Sequence, residues 1–409
     1  MARYPGAGSG VLSLSVLALL AGACGRGANP DDFAVRDSAG VRIVENGAAP
    51  EPGGSWQLSA EPEVDIGVLE GAPEYQLYRV SDAVRLGDGR IVVADNGAHQ
   101  LRFYDPAGRY MMGVGREGDG PGEFRTLSRL LPAAGDTLVV FDARLRRASW
   151  FSPSGEFIRS VEVGHASNLL ARVGGMFADG TLLGMAERLY GGDIPQGVMH
   201  NSTVYYRFAS DGSVMDTLGV LPSREMFGRA EGRAFYMTSL PFGMWPSSTS
   251  AGRRFYSGTG ERPEVAVRDV DGRLAELVRW RQAARAVTDA DVAAEKARRL
   301  ENVQDENWRR RVNEMFADMP LPETMPFFTS LLVDAIGDLW VGGFAPPGQA
   351  RRAWLVFDPD GRLLATVSMP SGLRVTQIGD ASVLGIWSDD MDVEHVRSFS
   401  LRRSESPAG

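Results

Sequence analysis

The sequence describes an all-β protein, a six-bladed β-propeller of four-stranded antiparallel blades with a helical insertion between blades 4 and 5. Three features support this. A phrase of short apolar strands joined by Gly- and Asp-rich turns recurs six times, the last time incompletely. One further apolar strand precedes most copies, and uninterrupted copies start about 45 residues apart, the period of four-stranded propeller blades. Helical patterning is confined to one stretch, 281–326. At 409 residues the chain is longer than a single core usually supports. Blades that pack only on their neighbours escape that limit.

The chain begins with a targeting segment, 1–24. Arg3 supplies a positive start, and 11–21 is an apolar run too short to span a bilayer. Leu20-Ala21-Gly22-Ala23-Cys24 resembles the lipobox of bacterial lipoproteins, with Ala21 where that motif more often carries leucine. The resemblance implies cleavage before Cys24 and a lipid anchor there. The protein is then expected in the bacterial cell envelope, extracytoplasmic, touching the membrane through its anchor only. Cys24 is the sole cysteine, so no internal disulfide forms. Residues 25–36 form a tether, and the propeller is expected over 37–403 as a monomer.

The repeat is clearest in 88–115. Strands at 90–95, 100–105 and 109–115 are joined by Gly87-Asp88-Gly89 and Asp105-Pro106-Ala107-Gly108. Proline presets φ for an early turn position and glycine supplies positive φ, so both turns have a mechanism. Later copies carry TLVVFD and RASWFSP, then TLLGMA and TVYYRFASDG, RRFYSG and PEVAVRDVDG, DLWVGGF and RAWLVFDPDG, and finally SVLGIW and EHVRSFSL. Leading strands are expected at 77–86, 126–133, 168–176, 327–334 and 373–379. The last copy lacks an outer strand, which would leave an open edge. The segment 40–67 offers two candidates to fill it, 41–46 and 56–67.

VADNGAHQLRFYDPAGRYMMGVG followed by GREGDGPGEF resembles an NHL-repeat blade, with its strand pair, D-x-x-G turn and Gly-rich link. The resemblance implies six blades. Its family includes binding modules and metal-dependent lyases, so it supports fold more than activity.

With strands named A to D outward, the A–B and C–D turns are all tight. The long stretches are B–C or D–A connections: 116–124, 187–202, 221–251, 281–326 and 388–393. Extra sequence confined to one face marks a binding face. Within 281–326, Thr288 and Asp291 fit a capping box. Trp308, Val312, Met315, Phe316 and Met319 form an apolar stripe. It is expected to cover the channel mouth, with Trp308, Val312 and Phe316 inward and 309–311 outward. Pro320-Leu321-Pro322 ends the helix.

A net charge of −9 argues against nucleic acid, which needs a basic face. Lys296, the only lysine, confines Schiff-base chemistry to one position. No HExxH or GxSxG motif occurs, and the Gly-rich 115–122 lacks the Lys-Ser/Thr of a phosphate loop, so no catalytic residue is nominated. A metal site, with zinc or calcium, would draw on His165 and on the loop acids Asp389, Asp390 and Asp392, with Glu394, Asp95, Asp142 and Glu187 nearby. The expectation is a recognition scaffold for a protein or small extracellular ligand, contacted by Arg116, Tyr190, Trp245 and Trp308. The alternative is a metal-dependent lyase or lactone hydrolase using the channel.

Overall fold

A computed structural model describes residues 33–50, 56–164, 171–187, 196–231 and 234–403. Four-stranded antiparallel units follow one another along it. The first comprises Val80–Arg85, Ile91–Asp95, Gln100–Tyr104 and Tyr110–Val114; the second runs from Leu127–Pro132 to Phe157–Glu162. The third runs from Arg172–Met176 to Val214–Pro222, the fourth from Ser247–Ala251 to Leu274–Arg281, and the fifth from Phe328–Val333 to Leu363–Pro370. A last sheet holds Arg374–Ile378, Ser382–Ser388 and Glu394–Arg403. Their leading strands touch in cyclic order, and the last meets the first. This is a propeller-type arrangement.

The strand sequences explain the packing. Ile91–Asp95 and Leu138–Asp142 are buried at every position because each second strand has a neighbouring sheet on both sides. Such strands read as continuous apolar runs rather than alternating ones. A separate apolar cluster fills the gap between each adjacent pair of sheets, from Val92, Phe124 and Phe151 between the first two to Ile66, Val93 and Ile386 between last and first. Polar groups lace the leading strands together. The Asp82 carboxylate accepts from the amides of Ala83 and Leu130, both at 3.0 Å. Gln377 accepts from the Arg85 amide at 2.6 Å and donates to its carbonyl at 3.2 Å.

The tight turns also follow from sequence. In the first C–D turn, Asp105 Oδ1 accepts from the amides of Ala107 and Arg109, and Gly108 adopts φ 82°. Asp358 does the same for Asp360 and Arg362.

The two N-terminal candidates go to different sheets. Trp56–Leu58 and Val64–Ile66 both pair antiparallel with Glu394–Arg403. Val41–Ala48 does not meet the last sheet. It runs parallel to Leu274–Arg281 and carries Ala34–Ser38 as a hairpin partner on the fourth sheet.

Helices α1 (Asp289–Leu300) and α2 (Glu306–Asp318) follow Arg281. Thr288 and Asp291 form the capping box at α1, and Asp305 caps α2. The helices pack on a further inserted element. Gly197–Met199, Met226–Glu231 and Ala234–Ser239 form a small separate sheet, built from two other insertions. Val312, Met315 and Met319 pack on it through Phe227 and Leu240. Arg229 pairs with Glu314 and Asp318, while Arg299 donates to Thr238 and Ser239. Of the residues expected inward, Val312 and Phe316 join this cluster, whereas the expected places of Trp308 and Arg311 need correction. Trp308 is 39% exposed, and the Arg311 guanidinium lies 4.2 Å over Tyr236. The stripe seats on Val312, Met315 and Met319, one to three turns beyond Trp308, because the small sheet offers its apolar surface there.

Candidate functional site

Three cavities line up where the helices and small sheet meet the propeller's loop-bearing face. The outermost, about 410 Å³, lies among Val198, His200, Glu225 and Pro320–Pro322. The middle one, about 270 Å³, is bounded by α1 through Glu295, Arg298 and Arg299. The innermost, about 350 Å³, reaches Thr329, Ser330 and Arg374 on two leading strands. Leu240, Phe242, Gly243 and Pro326 line both of the first two, and Trp245, Phe344 and Ala345 line both of the last two. The cavities thus form one groove that ends at the mouth of the ring. Phe242 and Phe344 meet edge to face within it, centroids 6.1 Å apart.

Each lining side chain has a local reason for its position. Trp245 sits just ahead of Ser247–Ala251, with its amide donating to the Thr259 carbonyl at 2.9 Å. The Arg224 guanidinium stacks 3.6 Å above its ring. Arg374 opens the last leading strand and donates to the carbonyls of Ser81 and Val80, both at 2.8 Å. Burial pulls its pKa down, opposed by the charges of Asp82 and Glu394. Asp82 is pushed up by burial against the pull of Arg129, 3.5 Å away. Arg352 is the second residue of the third strand of the fifth sheet and lies 4.6 Å over the Trp354 ring. Burial alone lowers its pKa to about 10. In the outer cavity His200 Nδ1 faces Glu225 at 3.2 Å, and Glu225 also accepts from the Met244 amide.

Of the ligand contacts expected from sequence, Trp245 lines the groove. Arg116 does not; it is exposed on the link between the first two sheets and pairs with Glu123 at 2.7 Å. Trp308 lines none of the three cavities. Tyr190, His165 and Cys24 lie outside the described residues.

The metal expectation is corrected for the loop acids. Asp389 Oδ1 accepts from the amides of Met391 and Val393, both at 2.9 Å, and so stabilises its own turn. Asp390 and Asp392 are exposed in that turn. Asp95 and Asp142 accept turn amides in the same way, and Glu187 pairs with Arg172. Glu394 accepts from the Val80 amide. Among the described residues, no three His, Cys, Asp or Glu side chains converge as metal ligands. At the second-strand ends Asp95 and Asp142 are turn acceptors, a local role that recurs with the repeat.

Sequence reasoning missed Arg352 and Phe344. A signal was present for Arg352: it shares strand parity with Trp354 and Val356, both buried, so alternation places a cation on a packed face.

No known family profile matches the chain, and no curated relative matches it. Similar solved structures include an exported protein from Bacteroides fragilis, with 12% identity, TM-score 0.49 and 89% of this chain and 100% of that one covered. Virginiamycin B lyase from Staphylococcus aureus is similar at 8% identity and TM-score 0.40, covering 84% and 99%. Regucalcin from Agrobacterium tumefaciens, a calcium-binding protein, is similar at 13% identity and TM-score 0.38, covering 85% and 99%. These are propeller-type proteins. At such identities the likeness says nothing of this chain's chemistry.

Proposed function

We propose that this chain is a recognition protein of the bacterial envelope: a six-bladed, NHL-like propeller held to the membrane by a lipid on Cys24. Trp56–Leu58 and Val64–Ile66 complete the last blade, and the protein acts as a monomer that binds a ligand in the groove of the loop-bearing face. The observation that carries this reading is the continuity of the groove. Three cavities share apolar walls and end at the leading strands, whereas the opposite face consists of closed turns such as 105–109 and 358–362. A concave, largely apolar surface with a few placed polar groups is the general form of a ligand site.

Crystallographic soaking with a fragment library tests it. Fragments are expected to collect around Phe242, Trp245, Pro326 and Phe344. Occupancy confined to the turn-bearing face would refute the assignment. Anchoring has its own test. Cys24→Ala is expected to move the protein from membrane to soluble fraction with an unchanged melt, and retention through detergent-free washing would contradict the anchor.

A further inference from the structure

Two residues that line the innermost cavity each carry a buried polar atom that the protein itself leaves unanswered. Arg352 Nε and Ser371 Oγ are both buried, and neither has a hydrogen-bond partner. No ion pair or hydrogen bond among the described residues engages the Arg352 guanidinium, which rests only on the Trp354 ring. Buried polar groups are nearly always satisfied, so two orphans on neighbouring residues of one cavity lining point to an acceptor supplied from outside. The neighbouring cation, Arg374, is in a different state. Its guanidinium already donates to two backbone carbonyls, and it faces the charges of Asp82 and Glu394. Trp245 and Phe344 supply apolar surface on the same cavity.

We propose that this cleft binds the carboxylate of a small amphipathic organic acid, with Arg352 as the cation, Ser371 as a second donor, and Trp245 and Phe344 against the apolar part. The chemistry fits the geometry. A guanidinium stacked on an aromatic ring keeps its N–H edge free in its own plane, the arrangement that grips a carboxylate through two parallel hydrogen bonds. Burial strengthens that contact, because the low dielectric that pulls Arg352 toward deprotonation also rewards a paired anion. A cavity of about 350 Å³ suits a small ligand. This inference rests on the recognition reading above and narrows it to a ligand class.

Fluorine NMR of the purified protein with 4-fluorobenzoate, against 4-fluorobenzamide as its uncharged counterpart, tests the proposal. The acid is expected to show saturable line broadening, with the amide weaker by about tenfold or more. Arg352→Gln should weaken the acid by a similar factor without altering the amide. Ser371→Ala should give a smaller loss, and Arg116→Gln none. Arg352→Lys keeps the charge but loses the paired geometry, so it should fall between; it carries the test if the Gln variant fails to fold. Equal binding of acid and amide would overturn the charge inference and leave the recognition reading intact. Acid binding that survives Arg352→Gln would place it elsewhere and overturn the assignment. No saturable binding of either probe would overturn the ligand class, and fragment occupancy of the groove would then decide the recognition reading separately.

Discussion

Asp334 and Asp338 flank the first turn of the fifth sheet and share one cation, Arg403. Asp334 is fully buried and well supplied, accepting from the amides of Ile336 and Asp338, from Trp340 Nε1 at 2.8 Å and from Arg403 at 2.8 Å. Asp338 has only a 3.3 Å contact to Arg403. Burial and the neighbouring Asp334 charge raise its pKa from 3.8 to about 6. The folded state therefore holds this proton more tightly than the unfolded one. The stability it contributes is complete below about pH 4 and is lost as pH rises through about 6. Asp338→Asn mimics the protonated form, so it should gain on the order of 1 kcal/mol relative to wild type on going from pH 5 to pH 7.5. Melting both proteins at the two pH values checks this. A pH-dependent drop of equal size in the variant would assign the titration to another group.

The helices and small sheet stabilise one another, and neither rests on the ring alone. Met315 lies in their shared core at 4% exposure, beside Phe227 and Leu240. Met315→Ala should cost the module about 2–5 kcal/mol, because the cavity left behind cannot close. Hydrogen exchange is expected to rise in 226–231 and 234–239 while leading strands such as Val80–Arg85 stay protected. Equal loosening of the leading strands would mean that module and ring unfold as one unit. Turns such as 105–108 and strands such as Ile91–Asp95 were readable because turn chemistry and burial are local. Ser247–Ala251 was not, since SSTSA has no apolar signature and its position comes from the sheets around it. The small sheet was hidden for a related reason. It pairs Gly197–Met199 with Met226–Glu231 across two intervening propeller strands, a non-local contact without a sequence pattern. Trp245 could be picked out as a groove residue, whereas Phe344 matters only through that assembly.

At the scale of the molecule, the last sheet takes its outer pairing from the other end of the chain. Trp56–Leu58 and Val64–Ile66 cover Glu394–Arg403, and Asp65 fixes the register through His395 Nδ1 at 2.7 Å and Arg397 at 3.0 Å. Deleting 33–67 would strip that edge and also remove the parallel strand on the fourth sheet. The truncated protein should melt earlier and associate in solution, since an exposed strand edge templates pairing. An unchanged melt and a monomeric elution would contradict closure from the N-terminus. The groove at the ring's mouth depends on this closure, because the last leading strand contributes Arg374 to it. Recognition through that groove is tested most directly by a thermal-shift fragment screen on three proteins: wild type, Phe344→Arg and Arg109→Ala. Phe344→Arg places a charged side chain at the junction of two cavities, while Arg109 lies exposed on a tight turn of the opposite face. The stabilising fragments found for wild type should lose their effect on Phe344→Arg and keep it on Arg109→Ala; fragments that stabilise the Phe344→Arg protein undiminished would contradict the groove as the site.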